Sequence, residues 1–452
     1  ITPRELADEM SGHFRALFDK LGITYDRFFR TSEDAHHRAS QALWQAMEAS
    51  GDLYLDRYEG WYSIRDEAYY DESELTEGAD GEKLSPQGTP VEWTVEESWF
   101  FRLSKYQQPL LDLFASQPDF VRPQTRMNEV RSFVEGGLRD LSVSRTSFDW
   151  GVKVPGAPDH VMYVWVDALT NYLTGVGYPD QTGDFAKFWP ADLHLIGKDI
   201  VRFHAVYWPA FLMSAGVSLP KGIFAHGFLL NRGQKESKSV GNVTDPGELA
   251  DRFGVDVLRY FLLREFSFGQ DGSWSAEAIV SRANAELANS FGNLAQRVMS
   301  FIAKNCGGEF TAAAPVMEPD TTLRSMVNRA CAVGLPDAFE NLAFAAGIEE
   351  WMQAVYACNA YVDEQAPWAL RKTDPARMER VLATLCGCIH DLAIAISPVI
   401  PTASAKILDA LCVPADARSY AALATDVALG TIRVENPSPA FPRLDLPVAE
   451  GS

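Results

Sequence analysis

The chain has 452 residues, 47% hydrophobic and 22% charged, with a formal net charge of -21. That length predicts about two to four domains, and the composition excludes a disordered chain. No run of about 20 apolar residues is present, which excludes a membrane-spanning helix, and so acidic a chain does not hold nucleic acid by general attraction. Any RNA contact must therefore be local and shape-driven, and the acidity suits a soluble cytoplasmic protein. The opening Ile1-Thr2-Pro3-Arg4-Glu5 is neither a signal peptide nor a start at Met, so the chain is expected to begin inside a domain. Thr2, Pro3 and Glu5 stand where an N-cap, a first helical residue and a capping-box acid belong. Leu6, Met10, Phe14, Leu17 and Phe18 then recur at helical spacing within a helical stretch over 1–50. Residues 51–125 are richer in Tyr, Trp, Gly and acids, with an exposed loop over 77–82. Over 160–230, the apolar runs 161–165 and 192–196 each precede a helical pattern, which predicts parallel βα units. A third strand is predicted over 222–229. From about 276 to 430 the pattern is helical throughout, with Pro or Gly at most boundaries. Pro437, Pro439 and Pro442 predict an extended strap. All six cysteines lie at or beyond Cys306, none in a CxxC pair, which predicts buried thiols and neither zinc nor disulfides. There is no internal repeat.

Four groups of residues point to chemistry. Lys235-Glu236-Ser237-Lys238-Ser239 follows a strand and lies between Gly233 and Gly241. By itself this is equally a solvated basic loop. If the loop turns, both ammonium groups face one anion and stabilise charge developing on a leaving pyrophosphate. Trp165, Ala168, Leu169 and Tyr172 share one helical face, where periodicity alone favours a core stripe. Ile200 and His204, at i and i+4, face the same way, although a lone His on an apolar face is usually a satisfied core residue. Asn289, Asn293 and Arg297 make a polar ridge, ordinarily a solvated one.

The context of these groups resembles a known family. The segment His226 to Val243, followed by Asp245-Pro246 and by 256–263, resembles the KMSKS region of class I aminoacyl-tRNA synthetases. Tyr163 to Tyr172 is similar to the strand-to-helix segment of methionyl-tRNA synthetases, and Ile196 to His204, Phe28 to Ser32, Glu97 to Lys105 and Pro439 to Arg443 resemble other stretches of that family. The resemblance covers nearly the whole chain. It implies that Lys235, Ser237, Lys238 and Ser239, with His226, Gly227, Phe228 and Leu229, bind ATP. Lys235 and Lys238 would stabilise pyrophosphate. Trp165, Ala168, Leu169, Tyr172, Ile200 and His204 would wall a methionine pocket, whose aromatic edges suit a polarizable thioether. Asp199 would handle the ATP ribose, and Arg145 would return from an inserted domain to the active site. Asn289 to Arg297 resembles the anticodon-reading helix and Asn359 to Trp368 its partner. Asn289, Asn293 and Arg297 would then bond base edges and Trp368 would stack on a base. One departure is Glu236, where Met is usual. Its carboxylate is expected to point away from the triphosphate.

The implied fold class is α/β: a Rossmann-type catalytic domain split by an inserted α/β connective domain, followed by a helical anticodon-binding bundle. Expected boundaries are 1–37, the remainder of the first catalytic half; 38–158, the insert; 159–230, the second catalytic half; 231–278, the KMSKS loop and stem-contact region; 279–430, the bundle; and 431–452, the strap. The implied activity is that of a bacterial methionine-tRNA ligase using ATP, Mg²⁺, L-methionine and tRNA(Met). It would work in the cytoplasm as a monomer without a membrane. A zinc-free insert is expected, because Ser63 and Asp66 occupy the family's cysteine places, with Tyr and Trp packing replacing the metal. None of the eight histidines forms an HxGH pair, so a βα unit carrying it is expected before Ile1. Two rivals remain: another class I synthetase, and a non-catalytic tRNA-binding or assembly protein with a degenerate site.

Overall fold

In the computed structural model the described residues are all of 1–452 except 67, 79–80, 237–242, 425–430 and 447–452. The first helix, Pro3–Lys20, is capped as its sequence predicts: the Glu5 carboxylate accepts the Thr2 N–H at 2.7 Å and the Thr2 hydroxyl accepts the Glu5 N–H at 3.2 Å. Its apolar stripe is not core, however. Leu6, Met10 and Phe14 are 47%, 40% and 53% exposed. The chain forms two units, Ile1–Ala16 with Thr24–His226, and Leu17–Ile23 with Gly227–Ser452.

In the first unit, the helix Asp34–Ala49 buries Ala39, Leu43, Trp44 and Met47. Next comes a long antiparallel pair, Leu53–Ser63 with Glu92–Phe101, flanked by Ala68–Tyr70 and Leu141–Ser142. At its far end the Ser63 hydroxyl lies 2.7 Å from that of Thr89. The Asp66 carboxylate accepts from Ser85 at 2.6 Å, from the Tyr70 hydroxyl at 3.0 Å and from Thr89. Burial pushes the Asp66 pKa up, but these donors outweigh it and the net shift is down. These hydrogen bonds tie Ser63 and Asp66 into the hairpin end, beside the Tyr62–Tyr69 ring contact at 4.7 Å and the Trp61–Trp93 contact at 5.4 Å.

A parallel sheet runs Val121–Arg122, Ile223–His226, His194–Gly197, with Ile223–His226 in the centre. Two of these strands are the predicted ones, and Val121–Arg122 comes from a stretch without an apolar run. The expected parallel strand near 161 is different. Ala157–Met162 pairs antiparallel with Lys153–Val154 and with Ser144–Arg145. Only Pro155-Gly156 joins 154 to 157, with Gly156 at φ 75°, and so short a turn permits only an antiparallel hairpin.

The second unit opens with another hairpin. Leu229–Asn231 pairs antiparallel with Gln234–Lys235 and parallel with Gly272–Trp274. Arg232 and Gly233, both at positive φ (47° and 80°), make its two-residue turn. The rest is helical, as predicted, apart from a short ladder of Glu309–Thr311 with Thr431–Arg433. The helix Pro375–Ile396 is buried almost all round from Val381 onward, as befits the centre of a bundle. Cys331, Cys358, Cys386 and Cys388 are buried free thiols, while Cys306 and Cys412 are half-buried. The Pro-rich tail packs Phe441 into the bundle, and Leu444 exchanges two backbone bonds with the Asn284 amide at 2.8 and 2.9 Å.

Candidate functional site

The first unit gathers the predicted pocket residues. Tyr163 precedes the helix Val164–Thr174, which sets Trp165, Ala168, Leu169 and Tyr172 along one face. Trp165 stacks on Phe203, with ring centroids 3.8 Å apart and planes 8° apart. His204 lies edge-on to Trp165 at 6.2 Å. It sits in a π-helical turn, Phe203–Tyr207, a geometry that re-aims side chains and recurs at functional sites. The His204 Nδ1 is 3.0 Å from the Ile200 carbonyl, and Nε2 is 2.8 Å from the Tyr172 hydroxyl. A carbonyl only accepts, so Nδ1 carries the proton and Nε2 accepts from Tyr172. Burial lowers the His204 pKa and raises that of Tyr172 to about 12, so both are neutral near pH 7. The result is an aromatic slot with one polar edge, and no net charge on that edge.

Sequence patterns missed the ring layer behind it. His194 stacks on Tyr172 at 4.0 Å and accepts the Trp208 indole N–H at 3.2 Å. Burial, with His204 nearby, pushes the His194 pKa down to about 3. His194 opens a strand whose apolar run was visible, but nothing in the run marked it. Phe203 had a signal: it is the neighbour of a candidate pocket residue.

Asp199 is exposed, in the turn after His194–Gly197. Gly197 is the register partner of His226 in the adjacent parallel strand. A Cβ at Gly197 would lie 2.6 Å from the Asp199 carboxylate and 4.0 Å from the His226 ring, so glycine lets Asp199 fold over the strand end beside His226. Ligands of open parallel sheets bind at the carboxyl ends of the strands. Arg145 is nearly fully buried instead. It donates to the Ser142 hydroxyl at 2.9 Å and the Ser144 carbonyl at 2.7 Å, and lies 4.8, 4.9 and 5.5 Å from the Tyr163, Tyr69 and Tyr62 rings. Its contact with Tyr163 ties it to the start of the pocket helix.

In the second unit, a Cβ at Gly227 would fall 2.2 Å from the Gln270 carbonyl oxygen, so only glycine fits there. The Phe228 N–H donates to Asp271 at 2.8 Å, and Leu229 is exposed. Lys235 ends the strand Gln234–Lys235, opposite Leu230. Ser237, Lys238 and Ser239 lie outside the described residues. Glu236 turns to Thr244 and Trp274: its carboxylate accepts from the Thr244 N–H at 3.0 Å, the Thr244 hydroxyl at 2.7 Å and the Trp274 indole at 3.2 Å. Burial raises its pKa, but these donors lower it further than burial raises it.

The same unit brings the two predicted RNA-reading segments together. Asn289, Asn293 and Arg297 are all exposed, the first in the π-helical stretch Ala283–Gly292 and the others in Asn293–Asn305. The Asn359 amide donates to the Ser290 carbonyl at 3.4 Å and to Val355 at 3.1 Å. Arg297 pairs with Asp363 at 3.0 Å and its guanidinium carbon is 5.8 Å from the Trp368 ring centre. Trp368 follows a left-handed residue, Ala366, at φ 43° and is 47% exposed. The buried Asp320–Arg377 pair, with bonds of 2.6 and 2.8 Å and a further bond from Tyr361, braces these helix ends. Among the described residues, no group of three or more His, Cys, Asp or Glu could hold a metal ion, and no helix is long and apolar enough to cross a membrane.

Residues 1–299 match the family model of tRNA synthetases class I (M), and 324–437 match that of the anticodon binding domain of methionyl tRNA ligase. The chain is 54% identical over 443 residues to the methionine–tRNA ligase of Brucella suis, covering 98% of this chain and 86% of that one. It is 55% identical over 449 residues to that of Mesorhizobium japonicum, with the same coverage. A structure of Mycobacterium tuberculosis methionyl-tRNA synthetase in complex with methionyl-adenylate superposes with a TM-score of 0.94 at 51% identity, covering 98% of this chain and 88% of that one. The apo form of the same enzyme gives 0.91 at 49% identity, with the same coverage.

Proposed function

The chain belongs to the methionyl-tRNA synthetases of class I, and from that premise we propose that it joins L-methionine to ATP and then to tRNA(Met). The observation that carries this is the slot formed by Trp165, Phe203, Tyr172 and His204, beside the strand ends where Asp199 and His226 sit. Ala168, Leu169 and Ile200 complete its apolar wall.

Methionine binds with its thioether among the aromatic edges, where sulfur–ring contacts are favourable. Its carboxylate attacks the α-phosphate in line, forming the acyl–phosphate bond and expelling pyrophosphate. The ribose 3′ end of the tRNA then takes the acyl group and AMP leaves. No side-chain nucleophile is needed, so the protein positions the reactants and neutralises charge. Asp199 engages the ATP ribose, and His226, Gly227, Phe228 and Leu229 line the nucleotide. Lys235 and Lys238, with Ser237 and Ser239, stabilise the leaving pyrophosphate. Mg²⁺ belongs to the substrate, chelated by the ATP phosphates. Arg145 supports the pocket through Tyr163. Asn289, Asn293, Arg297 and Trp368 read the anticodon. The protein works as a zinc-free monomer in the cytoplasm.

The test is methionine-dependent ATP–pyrophosphate exchange by the full-length gene product, with leucine and cysteine as controls. Exchange with methionine alone is expected. Exchange driven by another amino acid would make it a different class I synthetase, and none at all in a folded protein would leave a non-catalytic tRNA binder.

A further inference from the structure

Behind the pocket helix stands a histidine that none of the roles above uses. His36 is fully buried in the helix Asp34–Ala49. Its Nε2 lies 2.6 Å from the Asp167 carboxylate and 3.2 Å from the Ser40 hydroxyl, and its Nδ1 lies 2.9 Å from the Thr174 hydroxyl. A carboxylate only accepts, so Nε2 carries the proton towards Asp167. Asp167 and Thr174 are seven positions apart (174 − 167) in the helix Val164–Thr174, which puts them on one face. At about 100° per residue that face is roughly opposite the one carrying Trp165, Leu169 and Tyr172.

We propose that His36 is a positioning residue for methionine. One imidazole ties the first and last turns of the pocket helix from behind, and so fixes how far the helix is rotated about its axis. Any rotation or slide strains both bonds at once. A rotation of about 10° would move a ring lying about 6 Å from the axis by about 1 Å, enough to spoil a positioned site. The Trp165–Phe203 stack at 3.8 Å and the Tyr172–His204 bond at 2.8 Å both depend on that angle. The inference rests on the assignment of this slot to methionine.

The experiment compares wild type, His36→Leu, His36→Gln and Thr174→Val in the full-length protein. It reads KM for methionine and for ATP in the exchange reaction, methionine binding by calorimetry, and Tm. His36→Leu should raise the methionine KM and Kd by about tenfold or more and leave the ATP KM within about twofold. His36→Gln, which keeps an N–H donor, should recover part of that loss. Thr174→Val, which keeps the shape and removes one bond, should raise the methionine KM less and remain folded. A His36→Leu protein that loses only Tm, or weakens both substrates equally, overturns the proposal. Should His36→Leu fail to fold, an unchanged methionine KM in Thr174→Val overturns it. A wild type without any response to methionine would instead sink the functional assignment itself.

Discussion

The Tyr172 hydroxyl donates to Nε2 of His204 at 2.8 Å, while the same imidazole gives its Nδ1 proton to the Ile200 carbonyl. Tyr172→Phe would leave the buried Nε2 without a donor, which costs about 1–3 kcal/mol. A ligand atom that meets this edge would then face an acceptor where a satisfied pair stood. The expected outcome is a higher methionine KM, an ATP KM close to wild type and a lower Tm. A wild-type methionine KM in the folded variant would remove Tyr172 from the pocket.

Trp165→Ala removes one of two rings stacked at 3.8 Å. It should weaken methionine binding far more than ATP binding, as measured by separate titrations of the two. Equal losses would sink the assignment of this face to methionine.

The paired histidines also give a pH dependence. Burial lowers the pKa of His204 and His194, the latter from 6.5 to about 3. Below 6.5 the unfolded chain takes up protons that the folded one refuses. Stability from these groups is therefore present above 6.5 and lost as pH falls from there towards the folded values. For His194 alone the loss by pH ~5 is about 2 kcal/mol. The urea midpoint should fall between pH 6.5 and about 5, and His194→Phe should flatten that fall. An unaltered slope in the variant would mean that His194 is protonated in the fold.

The Glu236 carboxylate joins Thr244 to Trp274. Glu236→Met should remove three acceptor contacts and lower stability by about 1–2 kcal/mol. A carboxylate so engaged is turned to protein donors, so pyrophosphate exchange should persist in the variant. Loss of exchange at unchanged Tm would give Glu236 a direct part in the chemistry.

The sequence was legible where local chemistry decides structure. Thr2 and Glu5 cap a helix as their spacing demands, and Trp165, Leu169 and Tyr172 share the face that helical periodicity requires. Long-range pairing was less legible. Ala157–Met162 carries an apolar end like that of a parallel strand, but the Pro155-Gly156 turn sends it into a hairpin. Leu6, Met10 and Phe14 have the spacing of a core stripe, and spacing alone does not say whether anything covers them. The hydrogen bonds of Ser63 and Asp66 run to Thr89 and Ser85, more than 15 residues further on, so they could not be read locally. His36 is the extreme case. Its partners Asp167 and Thr174 are separated from it by 131 and 138 positions, and no motif links them.

Trp368 stands where a long-range arrangement makes one surface. Arg297 pairs with Asp363 at 3.0 Å and approaches the Trp368 ring from the neighbouring helix. The left-handed Ala366 turns the chain so that the indole stays half exposed while Pro367 is buried. A large aromatic face next to a guanidinium offers a splayed base a stacking surface. Stacking on such a ring is worth about 1–3 kcal/mol per base, a factor of about 5 to 150 in affinity. Trp368→Ala should therefore lower kcat/KM for tRNA charging by about that factor. Methionine-dependent exchange, which needs no tRNA, should stay within about twofold of wild type. Charging and exchange measured on one preparation separate the cases: a loss confined to charging places the contact on the tRNA, whereas a matched loss in both would show that Trp368 acts through the fold.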